Sequence, residues 1–487
     1  MDNVKKLITT TAVKQKSLNS ICFLEDSWRS ELENLISYGC GAGADLVEIF
    51  LENTDHLGIL AEQDSITSVN PSFGKGAGIR IFKGSKDGFV STNDLTEKGI
   101  KYALEQALAM LGLVNSSKRL NQFKGLKTFK NYALEKNTWE EDCPNIDEAC
   151  FKLLKANNFL LKNGTHIQSR RATYSRSLQE VLIATSDGTF TRDIRLHQSH
   201  GVNLLASDKG NRSSIGRRYG SNGKPKDLLH WNSEETAQEV CDSTNKMLYA
   251  EYVEAGQMPA VLANRFGGVI FHEACGHLLE TTQIERGTTP FINKLGEKIA
   301  HESVTAIDEG FTEGAFGSIS IDDEGMEPER TVLIEKGILK RFLCDRAGSL
   351  RTGHPRTGSG RRQNYAFAAA SRMRNTYITS GDYSPNDLIS SVDKGLYCKS
   401  MGGGSVGPTG QFNFSVEEGY LIDKGKLTKP VKGATLIGEA KEIMPRISMC
   451  ANDLDLAAGF CGSVSGSINV TVGQPHIKVD SITIGGR

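Results

Sequence analysis

The sequence has no surplus of charge. Its 57 Lys and Arg against 58 Asp and Glu leave a formal net charge of −1, with a pI near 6.8. That balance removes any global electrostatic case for binding nucleic acid or an anionic membrane surface. No run of eighteen apolar residues occurs, so a membrane-spanning helix is not expected. The opening residues, from Met1 to Lys6, lead into no apolar segment of the kind that marks a secretory signal. Prolines are scarce at 12 and aromatic residues make up 7%. With 51 glycines, this composition suits many tight turns between ordered elements and not a disordered chain. Ten cysteines show neither a C-x-x-C pair nor a repeated framework. They read as reduced thiols of a cytoplasmic protein, most of them small core residues.

What is present is length and an apolar fraction sufficient for a large core. At 487 residues and 38% apolar, the chain exceeds one typical domain. Residues 1–25 read as a loose arm. Residues 26–231 read as an N-terminal α/β domain with short sheets and flanking helices. Residues 232–487 read as a mostly β domain, giving an α+β fold overall. Helical periodicity is clear over 96–114, where Ile100, Ala103, Leu104, Ala107, Leu108 and Leu111 share a face, and again over 146–161 and 234–251. Residues 115–145 read as a polar connection. Strands are expected at 45–52, 66–69 and 78–82, with the glycine-rich 74–78 as a turn between the last two. Ser186-Asp187-Gly188 and Ser207-Asp208-Lys209-Gly210 are hairpin signals. Residues 332–339 and 420–427 share one form, strand, acid-Lys-Gly turn, strand, which suggests a repeated β unit.

The second half is organised around Phe271-His272-Glu273-Ala274-Cys275-Gly276-His277, on a helix that Asn264 could cap. Two histidines beside a glutamate resemble the helical zinc site of metallopeptidases. The spacing differs, because the histidines stand at i and i+5. At about 100° per residue an α-helix sets them roughly 140° apart, too far round to share one ion. Metal binding by both therefore requires a widened, π-type turn, which Gly276 eases. Without metal, the motif reads as a buried helix with hydrogen-bonded histidines. A catalytic zinc needs about three protein ligands and an open position. On residue type alone Cys275, Glu280, Cys450 and Cys461 all stand as candidates for the third.

Residues 346–381 hold seven arginines, no lysine and no acid. Such guanidinium groups could bind nucleic acid, tie acidic loops internally, or clamp a peptide, with Arg361, Arg362, Arg372 and Asn375 as the contacts. Gly402 to Gly407 matches G-x-G-x-x-G in form but opens no helix, so a dinucleotide site is rejected and a loop near a cleft expected. Asp322-Asp323-Glu324 reads as a solvated turn.

Together these residues resemble the TldD/PmbA (TldE) family of modulators of peptide maturation. The resemblance rests on His272 to His277, Gly360-Arg361-Arg362-Gln363, Arg372 to Tyr377, Phe412-Asn413-Phe414, Asn452-Asp453-Leu454, Gly459-Phe460-Cys461-Gly462 and Val472-Gly473-Gln474-Pro475. It extends over nearly all the chain beyond the arm. It implies the catalytic, zinc-bearing branch of the family, with Glu273 as catalytic base and His272, His277 and Cys461 as zinc ligands. It also implies degradation of unfolded peptides and trimming of leader peptides in a heterodimer with a PmbA/TldE-like chain, a homodimer being the other option. No nucleic acid or membrane partner is expected. The contrasting reading is a non-enzymatic peptide-binding or chaperone subunit with a structural metal. Ala368 to Ser371 and Gly462 to Ser467 depart from the family's usual residues, and neither departure removes a metal or catalytic residue.

Overall fold

The computed structural model describes residues 28–113, 123–131, 145–222, 232–407 and 410–486. The expected arm, most of the polar connection at 115–145 and the boundary at 229–231 lie outside the described residues. The chain divides into two compact units: Met1–Leu204 with Gly216–Cys241, and Leu205–Ile215 with Asp242–Arg487. Both mix helices with sheets, so the fold is α+β.

Among the described residues, the first unit is built on a seven-stranded sheet. Its strands are β1 (Leu46–Glu62), β2 (Ser65–Lys83), β3 (Lys86–Thr92), β4 (Thr128–Asn131), β5 (Ile167–Thr185), β6 (Thr189–Asp208) and β7 (Asn211–Asn222). They run in the order β3-β2-β1-β5-β6-β4, with β7 on β6. The strands are longer than the sequence pattern suggests. The 74–78 glycines form no turn; they lie within β2, with Gly74, Lys75 and Gly76 paired to Thr54, Asn53 and Glu52 of β1. A glycine costs a strand side-chain packing, but here a long antiparallel neighbour keeps the ladder intact. The first part of β1, from Val47 to Glu52, is buried on both faces, and the later part alternates. Helices α1 (Trp28–Gly41) and α2 (Glu97–Met110) cover Val47, Ile49 and Leu51. Helix α3 (Ile146–Asn163) packs on Leu57, Ile59 and Ala61. Thr96 and Asn145 cap α2 and α3 through their side chains.

The second unit carries the motif. One sheet contains β8 (Glu251–Tyr252), β9 (Gly256–Leu262), β16 (Lys394–Val406), β17 (Gln411–Asp423), β18 (Lys426–Lys432), β19 (Thr435–Glu439), β20 (Ile447–Cys450) and β23 (Ile477–Gly485). It closes on itself, since β16 pairs with both β9 and β17 along the path β16-β9-β23-β19-β17. The other sheet runs β12-β11-β10-β15-β22-β21. Its strands are β10 (Ala306–Glu309), β11 (Thr331–Glu335), β12 (Ile338–Leu339), β15 (Asn375–Ile378), β21 (Asp455–Ser463) and β22 (Gly466–Gln474). A two-stranded piece pairs β13 (Gly360–Arg361) with β14 (Ala370–Ser371). The two similar hairpins are present as β11–β12 and β17–β18. Their turns, Lys336-Gly337 and Lys424-Gly425, have positive φ throughout (47°, 80°, 48° and 72°), the type I′ geometry that matches strand twist.

A continuous apolar core joins β9, the motif helix and the closed sheet through Leu262, Phe271, Leu278, Leu396, Phe412 and Ile477. It holds the motif segment immediately beyond β9. Among the described residues no helix is long and apolar enough to cross a membrane.

Candidate metal centre

The segment after β9 changes helical type three times in fifteen residues. Arg265–Gly268 is a 3-10 turn, Val269–Phe271 is α-helical, His272–Gly276 is π-helical and His277–Leu279 returns to 3-10. The wider turn that the i, i+5 histidine spacing demands is thus present between the two histidines. It brings their rings edge to face, with centroids 5.1 Å apart. Gly276 matters sterically. A Cβ there would lie 2.3 Å from the Met373 sulfur. Asn264 does stand at the N-cap position, but its side chain makes no capping bond. Its Nδ2 donates instead to the Asp453 backbone oxygen at 3.0 Å and carboxylate at 3.2 Å.

Cys461 arrives from the edge strand β21. Along that strand Phe460 is exposed, Cys461 buried and Gly462 exposed, the period-two alternation that aims every second side chain inward. The result is one cluster. Ligand atoms of His272, His277 and Cys461 all lie within 4.8 Å of one another. Cys461 Sγ is 3.2 Å from His277 Nε2. On the other side of that ring, Nδ1 meets the buried Glu280 carboxylate at 3.2 Å. Glu273 lies beside the cluster, its Oε2 3.6 Å from His277 Nε2, with a quarter of its side chain exposed. His272 is buried, and its Nδ1 has no hydrogen-bond partner among the described residues.

The charges in the cluster are strongly biased. Burial works to raise the Cys461 pKa, yet the two imidazoles outweigh it and bring it down to about 3. Burial likewise opposes protonation of His277, but Glu280 and the thiolate prevail and hold its pKa well above the ordinary value. Both shifts favour the charged forms, a thiolate beside an imidazolium. The other thiols considered as ligands are elsewhere in character. Burial pushes the Cys275 thiol up, and Cys450 up to about 11, and neither joins the cluster.

The arginine-rich segment is internal. Arg361 donates to the Met373 carbonyl at 2.9 Å and the Asn469 carbonyl at 2.8 Å. Arg362 donates to the Asp323 carbonyl at 2.8 Å. Arg372 is fully buried and donates to the carbonyls of Cys461 and Gly466 and to the Ser465 hydroxyl. Asn375 is also fully buried and donates to the Glu309 carbonyl and the Ser318 hydroxyl. All four residues expected to clamp a peptide therefore have protein partners inside the fold. Asp322, Asp323 and Glu324, expected as a solvated turn, are buried: Asp322 and Asp323 accept the backbone N–H groups of Gly360 and Arg362, and Glu324 accepts from Arg346 and Arg356. Arg372, expected as a clamp contact, instead donates to the Cys461 carbonyl beside the cluster, a partner that no sequence pattern marks.

Comparison with known proteins agrees with this architecture. Three family descriptions match in succession: "PmbA/TldA metallopeptidase domain 1" over residues 47–111, the "central domain" over 139–248 and the "C-terminal domain" over 255–486. The chain is 32% identical over 465 residues to a protein named Metalloprotease TldD homolog from Buchnera aphidicola, covering 92% of this chain and 94% of that one. It is 35% identical over 235 residues to the Zinc metalloprotease TldD homolog of Saccharolobus solfataricus, covering 48% of this chain and 52% of the relative. Among solved structures, TldE from Thermococcus kodakarensis shares the fold, with a TM-score of 0.74 and 20% identity over 94% of this chain and all of that one. The chain belongs to the PmbA/TldD metallopeptidase family.

Proposed function

We propose that the chain is a zinc-dependent peptidase that hydrolyses unfolded or leader peptides in the cytoplasm, together with a PmbA/TldE-like partner chain. The observation that carries this reading is the convergence of His272, His277 and Cys461 beside the part-exposed Glu273 carboxylate. The donor set fits zinc: two imidazoles and a thiolate are borderline-to-soft ligands. Tetrahedral bonds of about 2.0–2.3 Å put ligand atoms roughly 3.3–3.6 Å apart. The Cys461–His277 separation of 3.2 Å is close to that spacing, and no ligand pair is further apart than 4.8 Å. The Saccharolobus relative is named for the same metal.

Zinc held there would supply an activated water near neutral pH and polarisation of a scissile carbonyl. The remaining work falls to the chain. Glu273 takes a proton from the attacking water at its carboxylate and returns it to the leaving amine nitrogen. Glu280 accepts the Nδ1–H of His277, leaving Nε2 as the ligand atom and fixing the ring. The Cys461 thiolate would bring a full negative charge, so a metal held there would be a milder Lewis acid than one on neutral ligands, which favours slow turnover on well-held substrates.

Digestion of an unfolded protein tests the proposal, with the chain alone and with a PmbA/TldE-like chain, each with and without chelator. Cleavage that needs zinc, and that Glu273→Gln abolishes while zinc stays bound, is expected. Bound zinc with no cleavage, even with the partner present, would contradict the peptidase reading and favour the peptide-binding subunit.

A further inference from the structure

Residues Arg372 and Met373 stand between the two parts of the cluster, which are 184 residues apart in sequence. Arg372 Nη2 donates to the Cys461 carbonyl at 2.5 Å. Its Nη1 donates to the Ser465 hydroxyl at 2.8 Å and the Gly466 carbonyl at 2.9 Å. These three acceptors span the end of β21, the turn into β22 and the first residue of β22, where Gly466 has a φ of 85°. One guanidinium thus holds the ligand's own peptide group and the turn residues four and five positions beyond it. The next residue, Met373, packs against Gly276 in the π turn, so closely that a Cβ on Gly276 would be 3.1 Å from its terminal methyl. Two adjacent residues therefore touch both the thiolate strand and the histidine turn.

Arg372 is unusual in what it lacks. It is 0% exposed and heads the largest fully buried side chains. Among the described residues it has no carboxylate partner, and its Nε makes no hydrogen bond. The nearby Arg374, equally buried, has the Asp308 carboxylate. Burying a guanidinium without an anion costs more than burying an ion pair, so fold stability alone is a poor reason for an arginine here. Its planar fork, by contrast, suits simultaneous capture of the Cys461 carbonyl and the turn.

We propose that Arg372 is the positioning residue of the metal centre, holding Cys461 at the distance and angle from the imidazoles that a shared metal requires. This rests on the ligand assignment proposed above and goes beyond it. Lysine in its place keeps the charge but cannot reach both sets of acceptors, so the thiolate strand is released from the turn.

Cobalt(II) titration of the full chain tests the claim, because a thiolate-to-cobalt charge-transfer band reports Cys461 directly. Arg372→Lys is expected to fold with unchanged circular dichroism, to bind cobalt about tenfold more weakly and to show a shifted or weakened thiolate band. Should that variant fail to fold, Ser465→Ala carries the same test. It removes one acceptor and leaves the buried charge in place, with an expected affinity loss of about fivefold. Cys461→Ser separates the two levels of the argument. If it leaves the band intact, the ligand assignment falls. If it abolishes the band while the folded Arg372 or Ser465 variant matches the parent in affinity and spectrum, the positioning role falls and Arg372 is structural only.

Discussion

Gly276→Ala puts a single methyl into the turn that joins the two histidines. An ideal Cβ there is 2.3 Å from Met373 Sδ. Ordinary contact begins near 3.4 Å, so the sulfur must retreat by about 1 Å. Met373 is 0% exposed and already packed in the large core, so it can retreat only into its neighbours. Overpacking of this kind costs about 1–3 kcal/mol. Alanine's better helix propensity returns up to about 1 kcal/mol, less in a π turn than in a regular helix. The expected net loss is about 1–2 kcal/mol, or roughly 2–8 °C in Tm for a unit of this size. Scanning calorimetry of the metal-free chain measures it. A double-mutant cycle with Met373→Ala assigns the cause. That substitution alone costs about 2–5 kcal/mol, but it vacates the space the new methyl needs. In its background Gly276→Ala becomes neutral or stabilising. An equal loss in both backgrounds, or no loss in the parent, would refute the packing argument.

Other outcomes follow from the same contacts. Zinc binding should weaken as pH falls through the raised pKa of His277, because the ion must displace that proton; the Cys461 thiolate, ionised down to about pH 3, adds no competition of its own near neutrality. Competition titrations with a chromogenic chelator across pH measure this, and Glu280→Gln should move the competition to lower pH by removing the carboxylate that favours the imidazolium. Glu280→Gln should also weaken zinc binding by about tenfold or more, since the ring loses its charged anchor. Arg374→Met leaves Asp308 buried without its cation and should cost about 3–5 kcal/mol in chemical denaturation. Gly337→Ala forces a φ of 80° on alanine and presses its Cβ to 2.4 Å from the Ala300 carbonyl, so the second unit should lose thermal stability with no change in zinc content.

The motif was legible because helix geometry is arithmetic. An i, i+5 pair cannot share an ion on a regular α-helix, and the π turn at His272–Gly276 is the geometric answer. Helices α2 and α3 were legible from helical periodicity, while their Thr96 and Asn145 caps came only with the structure. The long β1 and β2 were not, because polar and glycine residues in mid-strand mimic a turn when no pairing partner is in view. Cys461 was indistinguishable from other thiols by residue type, and only the family resemblance singled it out. What sets it apart physically is the pair of imidazoles beside it, which come from a distant part of the sequence. The arginines failed in the opposite direction. An acid-free, arginine-rich stretch suggests an exposed clamp, whereas here the acceptors are carbonyls and acids brought from Asp308, Asp323, Cys461 and Asn469 by tertiary folding.

Zinc analysis of the purified chain and of its Cys461→Ser and Glu273→Gln variants, paired with peptide digestion of the same samples, tests the central claim most directly. The account predicts one zinc per parent chain, loss of zinc and activity together in Cys461→Ser, and loss of activity with zinc retained in Glu273→Gln. Full zinc content in Cys461→Ser, or full activity in Glu273→Gln, would contradict it.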